Sequence, residues 1–151
     1  MLFLLFQLDG HRYALDARDV VEILPLVTAK RTPHSPEGSV GLFNYRGRPV
    51  PLIDLSELVL GRPANARLST RIILVERKGG GREAHLVGLL AEQATELMRC
   101  DEEALAIADA SNTDTPYLGS VFFGKDGFVQ RLDANALLSH RFGKARFGAA
   151  A

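Results

Sequence analysis

The sequence predicts an all-β protein with short helices, built as two small, related β-barrels packed together. Three observations carry that expectation. First, a motif recurs. Gly41-Leu-Phe-Asn-Tyr-Arg-Gly-Arg-Pro-Val-Pro-Leu-Ile-Asp54-Leu-Ser-Glu-Leu58 reads as strand, tight turn, strand and short helix. Gly119-Ser-Val-Phe-Phe-Gly-Lys-Asp-Gly-Phe-Val-Gln-Arg-Leu-Asp133-Ala-Asn-Ala-Leu137 reads the same way, with the same spacing between the aspartate and the leucine. Second, short β runs alternate with Gly- and Asp-containing turns. Third, the long amphipathic helices that a βαβ protein needs between its strands are missing.

The first strand is expected at residues 2–8, where Gln7 is the only polar side chain. Asp9-Gly10 is a strong hairpin signal, and residues 13–15 form the return strand. Residues 17–24 suit a helical turn leading into a strand that carries Val20, Val21, Ile23 and Leu24, with Pro25 stopping any helix. Residues 30–39, rich in Pro and Gly, form a surface loop. Strands at 40–45 and 48–53 flank the turn Arg46-Gly47. Pro49 and Pro51 lack amide donors, so the second of these strands lies at an edge or pairs irregularly. Asp54 suits the cap of a helix over 55–60, and Gly61 its left-handed stop.

The second half opens with a continuous apolar strand at 71–76, a flexible tip at 78–82 and a return strand at 84–91. Apolar character continues over 94–98. Residues 101–110 suit a helical turn and 111–116 a loop. Strands at 117–123 and 128–132 flank a turn at 125–127, a helix follows over 135–139, and residues 140–151 form a mobile end. The expected organisation is a first lobe at 1–66, a second at 67–133, and a C-terminal helix and tail at 134–151.

The 151 residues hold 18 Lys and Arg against 18 Asp and Glu. A formal charge of zero argues against a broad nucleic-acid surface, which depends on clustered positive charge. A single cysteine, Cys100, rules out an intramolecular disulfide and fits a cytoplasmic location. The apolar start is too short to span a bilayer and lacks the features of a signal peptide, so no direct membrane insertion is expected.

Chemistry is sparse. No pair among the four histidines has metal-ligand spacing, and Cys100 reads as a buried, inert thiol. Gly79-Gly80-Gly81 joins two strands, whereas a dinucleotide loop opens a helix. Asp54 and Asp133 occupy repeat positions, which favours equivalent capping jobs over paired acid–base carboxylates. No catalytic residue, metal or cofactor is expected. The sharper feature is Glu22 inside the hydrophobic run Val20-Val-Glu-Ile-Leu24. Such a carboxylate is either exposed or paired, and Arg46 at the Asn44-Tyr-Arg-Gly47 turn is a candidate partner through a charge-assisted bond.

These segments resemble the CheW-like domain family of bacterial chemotaxis coupling proteins. The resemblance runs through Phe6-Gln-Leu-Asp-Gly-His-Arg-Tyr-Ala-Leu15, Val20-Val-Glu-Ile23, Ile72-Ile-Leu-Val75, Val87-Gly-Leu-Leu90 and Tyr117-Leu-Gly119. Its most specific part is Asn44-x-Arg-Gly47 followed by Val50-Pro-Leu-Ile-Asp-Leu55. The resemblance implies two packed five-stranded SH3-like barrels and a non-catalytic adaptor. Its expected partners are the cytoplasmic tip of a methyl-accepting receptor and the regulatory domain of a histidine autokinase, with self or array contacts besides.

By the same resemblance Glu22 and Arg46 match an acid and an arginine involved in coupling. Val20, Ile23, Asn44 and Tyr45 fall in the same motifs, and Val87 and Leu89 in the second-lobe strand motif, so that the expected partner contacts are Val20, Glu22, Ile23, Asn44, Tyr45, Arg46, Val87 and Leu89. Tyr45 stands where the family usually has Leu, the links at 61–69 and 109–115 are short, and Ala91-Glu92-Gln93 replaces an acid–valine pair. Family members also serve systems controlling surface attachment, pilus motility or a cyclic-dinucleotide messenger. Two further readings are a sequestering subunit that binds a kinase without a receptor, and a nucleic-acid-binding small barrel using Arg46, Arg48, Arg62 and Arg67.

Overall fold

The computed structural model describes residues 1–31, 38–77, 85–101, 114–124 and 127–142. The expectations for residues 32–37, for the tip at 78–82, for most of 101–113, for part of the 125–127 turn and for the tail beyond 142 lie outside the described residues. The elements in chain order are β1 (Leu2–Leu8), β2 (His11–Asp16), a 3-10 turn (Ala17–Asp19), β3 (Val20–Pro25), β4 (Ser39–Tyr45), β5 (Arg48–Asp54), α1 (Leu55–Leu60), β6 (Arg71–Arg77), β7 (His85–Arg99), β8 (Leu118–Gly124), β9 (Gly127–Leu132) and α2 (Ala134–Phe142). The last helix runs past the expected end at 139, because Phe142 is buried against the core.

The local signals act as their chemistry dictates. Asp9 and Gly10 turn with φ of 51° and 75°, and Arg46 and Gly47 with 50° and 82°. Both are two-residue hairpin turns with left-handed backbone at each central position, which matches the twist of the flanking strands. The Asp54 carboxylate caps α1 by accepting from the amides of Ser56 (3.0 Å) and Glu57 (3.3 Å). Gly61 ends that helix at φ 75°. Pro49 and Pro51 face β4, while the parallel pairing of β5 with β7 begins only at Leu52, beyond the last proline. A residue without an N–H thus never has to serve the second ladder.

The two closed five-stranded SH3-like barrels do not form. Nine strands make one sheet in the order β3-β6-β7-β1-β2-β9-β8, with β5 branching from β7 and β4 from β5, and it is not closed into a barrel. The physical reason is β7. Its first half pairs with β6 on one edge and, at Gly88 to Leu90, with β5 on the other. Its second half pairs with β1. One 15-residue strand therefore serves both halves. Among the described strands β3 pairs only with β6, and β8 only with β9, leaving no ladder to close the circle.

Three apolar clusters follow from period-2 alternation on strands buried on both faces. Leu4, Phe6 and Leu8 join Ile73, Val75, Val87, Leu89 and the inner face of α2 in the central cluster. The alternate residues Phe3 and Leu5 pack with Ala14, Phe122 and Val129. Ile72 and Leu74 pack with Phe43, Val50, Leu52 and Leu90.

Candidate functional site

Glu22, Tyr45 and Arg46 meet at the end of the β4–β5 hairpin. Their meeting depends on a bulge in β3. Val20 pairs with Val75 and Glu22 with Leu74, so Val21 is an extra residue on that strand. Strict alternation would send Val21 and Ile23 inward together. The bulge instead packs Val20 and Ile23 against the central cluster, leaves Val21 exposed, and sets Glu22 opposite Leu74. Tyr45 packs against the cluster that contains Leu74, so both side chains are drawn to one side of the sheet.

The Tyr45 hydroxyl donates to Glu22 Oε2 at 2.5 Å. The same oxygen accepts from Arg46 Nη2 at 3.4 Å. The Arg46 guanidinium lies over the Tyr45 ring, 5.2 Å from its centroid, a cation–π contact. The bond to Glu22 is the largest influence on Tyr45 and raises its pKa above the usual phenol value, because ionising the phenol would set two anions face to face. Arg46 is 74% exposed at its side chain and Glu22 34%. Asn44 Oδ1 accepts from the amide of Gly47 at 2.8 Å and fixes the turn. A non-glycine residue at φ 50° costs roughly 1 kcal/mol, and at this turn that residue is Arg46.

Exposed apolar side chains flank the cluster along the chain: Val21 on the bulge, then Leu26 and Val27 just past β3. The sequence placed Val21 on the strand with Val20, Ile23 and Leu24 without assigning it a face. The signal that would have exposed it is the run of two valines before Glu22, one more apolar residue than alternation accommodates. Val87 and Leu89, the remaining predicted contact positions, are buried in the central cluster, 1% and 0% exposed. The structure does not bring them to the surface beside Glu22.

Two further carboxylates organise the molecule. Asp16, buried at the end of β2, accepts from Arg18 Nε (3.1 Å) and Nη2 (2.7 Å), from the Arg18 amide (2.9 Å), and from Arg131 Nη2 on β9 (3.4 Å). The bond to the Arg18 side chain is the main reason its pKa lies below the usual carboxylate value. Sequence reading missed it, and Asp16-x-Arg18 was the available signal. Glu92 explains how the short link at 61–69 is held. Its carboxylate accepts from the Asn65 amide (2.9 Å) and from Ser56 Oγ (3.5 Å). The neighbouring Gln93 adopts φ 53° where β7 bends between its two partners. Asn65, Glu92 and Gln93 border an open polar cleft of about 190 Å³, which the ion-paired Arg62 and Asp9 also line. No grouping of His, Cys, Asp and Glu suited to a metal ion occurs among the described residues. No helix among them is long and apolar enough to cross a membrane.

The comparisons with known proteins agree on one family. The family model described as the CheW-like domain matches residues 2–142. The chain is 28% identical over 102 residues to a probable chemotaxis protein CheW of Rhizobium etli, covering 66% of this chain and 61% of that relative. It is also similar to the crystal structure of the scaffolding protein TtCheW from Thermoanaerobacter tengcongensis. That likeness has a TM-score of 0.76 at 26% identity, over 91% of this chain and 86% of that one. With its sheet order, its Asn44-x-Arg-Gly47 turn and a family match over nearly its whole length, this chain belongs to the CheW-like domain family.

Proposed function

We propose that the chain is a non-catalytic adaptor coupling chemoreceptors to a histidine autokinase in a chemosensory pathway. The observation that carries this reading is the family match over residues 2–142, joined to an exposed ionic cluster on the family's most specific motif. The chain's similarity to a probable chemotaxis protein and to a scaffolding protein points the same way. The partners are the cytoplasmic tip of a methyl-accepting receptor and the kinase's regulatory domain. The chain works from the cytoplasm, recruited to receptor arrays.

Coupling of this kind is a free energy linking the conformations of two bound partners. The adaptor needs moderate affinity for each and a fixed orientation between them. Val21, Leu26 and Val27 offer apolar area for burial, while Glu22 and Arg46 set register and specificity more than affinity. Val20, Ile23 and Asn44 act beneath them, by packing the strand and fixing the turn. Val87 and Leu89 contribute through the core on which these strands rest.

The test is reconstitution. Adding the chain to receptor-bearing membranes and kinase should make kinase autophosphorylation respond to receptor ligand. Autophosphorylation that ignores the adaptor at saturating concentration would sink the proposal.

A further inference from the structure

Within the surface cluster Glu22 is claimed more strongly by Tyr45 than by Arg46. One carboxylate oxygen, Oε2, accepts the hydrogen bond of the Tyr45 hydroxyl at 2.5 Å, and the guanidinium approaches that same oxygen only at 3.4 Å through one nitrogen. A guanidinium has five N–H donors and bonds a carboxylate best through two at once. Arg46 makes no such fork here. Its guanidinium lies over the Tyr45 ring, 5.2 Å from the centroid, its side chain is 74% exposed, and it gives Glu22 a single long hydrogen bond, so most of its donors stay open. Arg48 follows on the same turn, exposed and without an ion pair among the described residues. The tip therefore carries two guanidiniums against a single carboxylate already engaged by a phenol.

We propose that Tyr45 is a specificity-determining residue that occupies Glu22, leaving Arg46, supported by Arg48, to bind a carboxylate on the surface of a protein partner. This rests on the adaptor reading for the partner's identity and on the geometry alone for the role of Tyr45. A protein carboxylate, rather than a nucleic-acid phosphate, follows from the balance of charge. Two arginines at one turn suit a single planar acid, whereas a chain with 18 basic and 18 acidic residues lacks a basic track for a phosphate backbone.

The experiment has two arms. In the first, the isolated full chain is treated with phenylglyoxal, which modifies accessible guanidiniums, and modification of Arg46 is followed by peptide mass spectrometry. Tyr45→Phe should slow that modification about two- to fivefold, the range of an exposed ion pair, because Glu22 is released to pair with Arg46. Glu22→Gln should leave it as fast as in the wild type or faster. Equal rates in wild type and Tyr45→Phe would overturn the role given to Tyr45.

In the second arm, Arg46→Glu is paired with kinase regulatory domains and receptor tips in which surface carboxylates are replaced one at a time by lysine. Restored binding by one such swap is expected. Failure of every swap, while the wild-type chain binds its partners, would overturn the acidic partner. So would Arg46-dependent capture of a short RNA. A wild-type chain that binds neither protein would instead remove the adaptor reading and leave the phenylglyoxal result standing.

Discussion

Tyr45 on β4 donates its hydroxyl proton to Glu22 on β3 over 2.5 Å, joining two strands that share no hydrogen-bonded ladder. The bond runs from the last residue of β4 to the interior of β3, beside the exposed Arg46 side chain. It ties β3 to β4 through their side chains. It also makes Tyr45 a direct reporter of the site, because the phenol titrates and its environment is set by one carboxylate.

The Tyr45 phenol should ionise above the ordinary tyrosine value of about 10. A pKa raised on folding contributes stability that is fully present below the unfolded value and is lost as pH rises through the folded one. Phenolate absorbance of wild type minus Tyr45→Phe isolates this group. Glu22→Gln should move the difference curve back toward lower pH. An unchanged curve would remove the Tyr45–Glu22 bond from the account.

Asp16 predicts the opposite pH behaviour. Its pKa is lowered on folding, chiefly by the Arg18 side chain. The stability it contributes is present above the ordinary carboxylate value and is lost as pH falls through the folded value. Asp16→Ala leaves the Arg18 amide and the β9 contact from Arg131 without their acceptor. It should cost about 2 kcal/mol at neutral pH, an amount held down because the Arg18 side chain is largely exposed. Urea unfolding of both proteins should show the gap narrowing below about pH 4. A gap that holds constant into strong acid would contradict the assignment.

Gly88 lies where β7 is enclosed by β6 and β5. A Cβ there would stand 2.6 Å from Phe43 Cε1 and 2.9 Å from Ile72 Cγ2, inside the contact distance of carbon atoms. Gly88→Ala should destabilise by about 1–3 kcal/mol through overpacking, read as a lower urea midpoint with an unchanged slope. A variant as stable as the wild type would mean that this part of the core yields more than its packing implies.

Local chemistry was legible in the chain, and long-range pairing was not. Asp9-Gly10, Arg46-Gly47, Asp54 and Gly61 each act through their own backbone or a neighbour's amide, so their roles can be read from a few residues. The repeat was legible too, as two strand–turn–strand–helix units. What it could not reveal is which strands share a ladder. Similar units implied two closed barrels, whereas β7 continues through Glu92 and Gln93, where an ending was easy to assume, and binds the halves into one open sheet.

At the site, Glu22 stood out as a charge in an apolar run, and its tie to Arg46 is present at 3.4 Å. The stronger tie to Tyr45 was hidden because a tyrosine before a turn reads equally well as packing. The exposure of Val21 was hidden because a bulge is a property of two paired strands, and the partner strand lies more than fifty residues away.

The central claim is that this chain joins a receptor to a kinase through the Arg46 surface. It is tested most directly by affinity capture from the native cytoplasm and membranes with the wild-type chain and with Arg46→Glu. The variant should fold as the wild type does, since Arg46 is exposed and its one ion pair is long. The account predicts that the wild type recovers both a histidine kinase and a chemoreceptor and that the folded variant recovers them weakly or not at all. Equal recovery by both chains, or recovery of neither partner by the wild type, would contradict it.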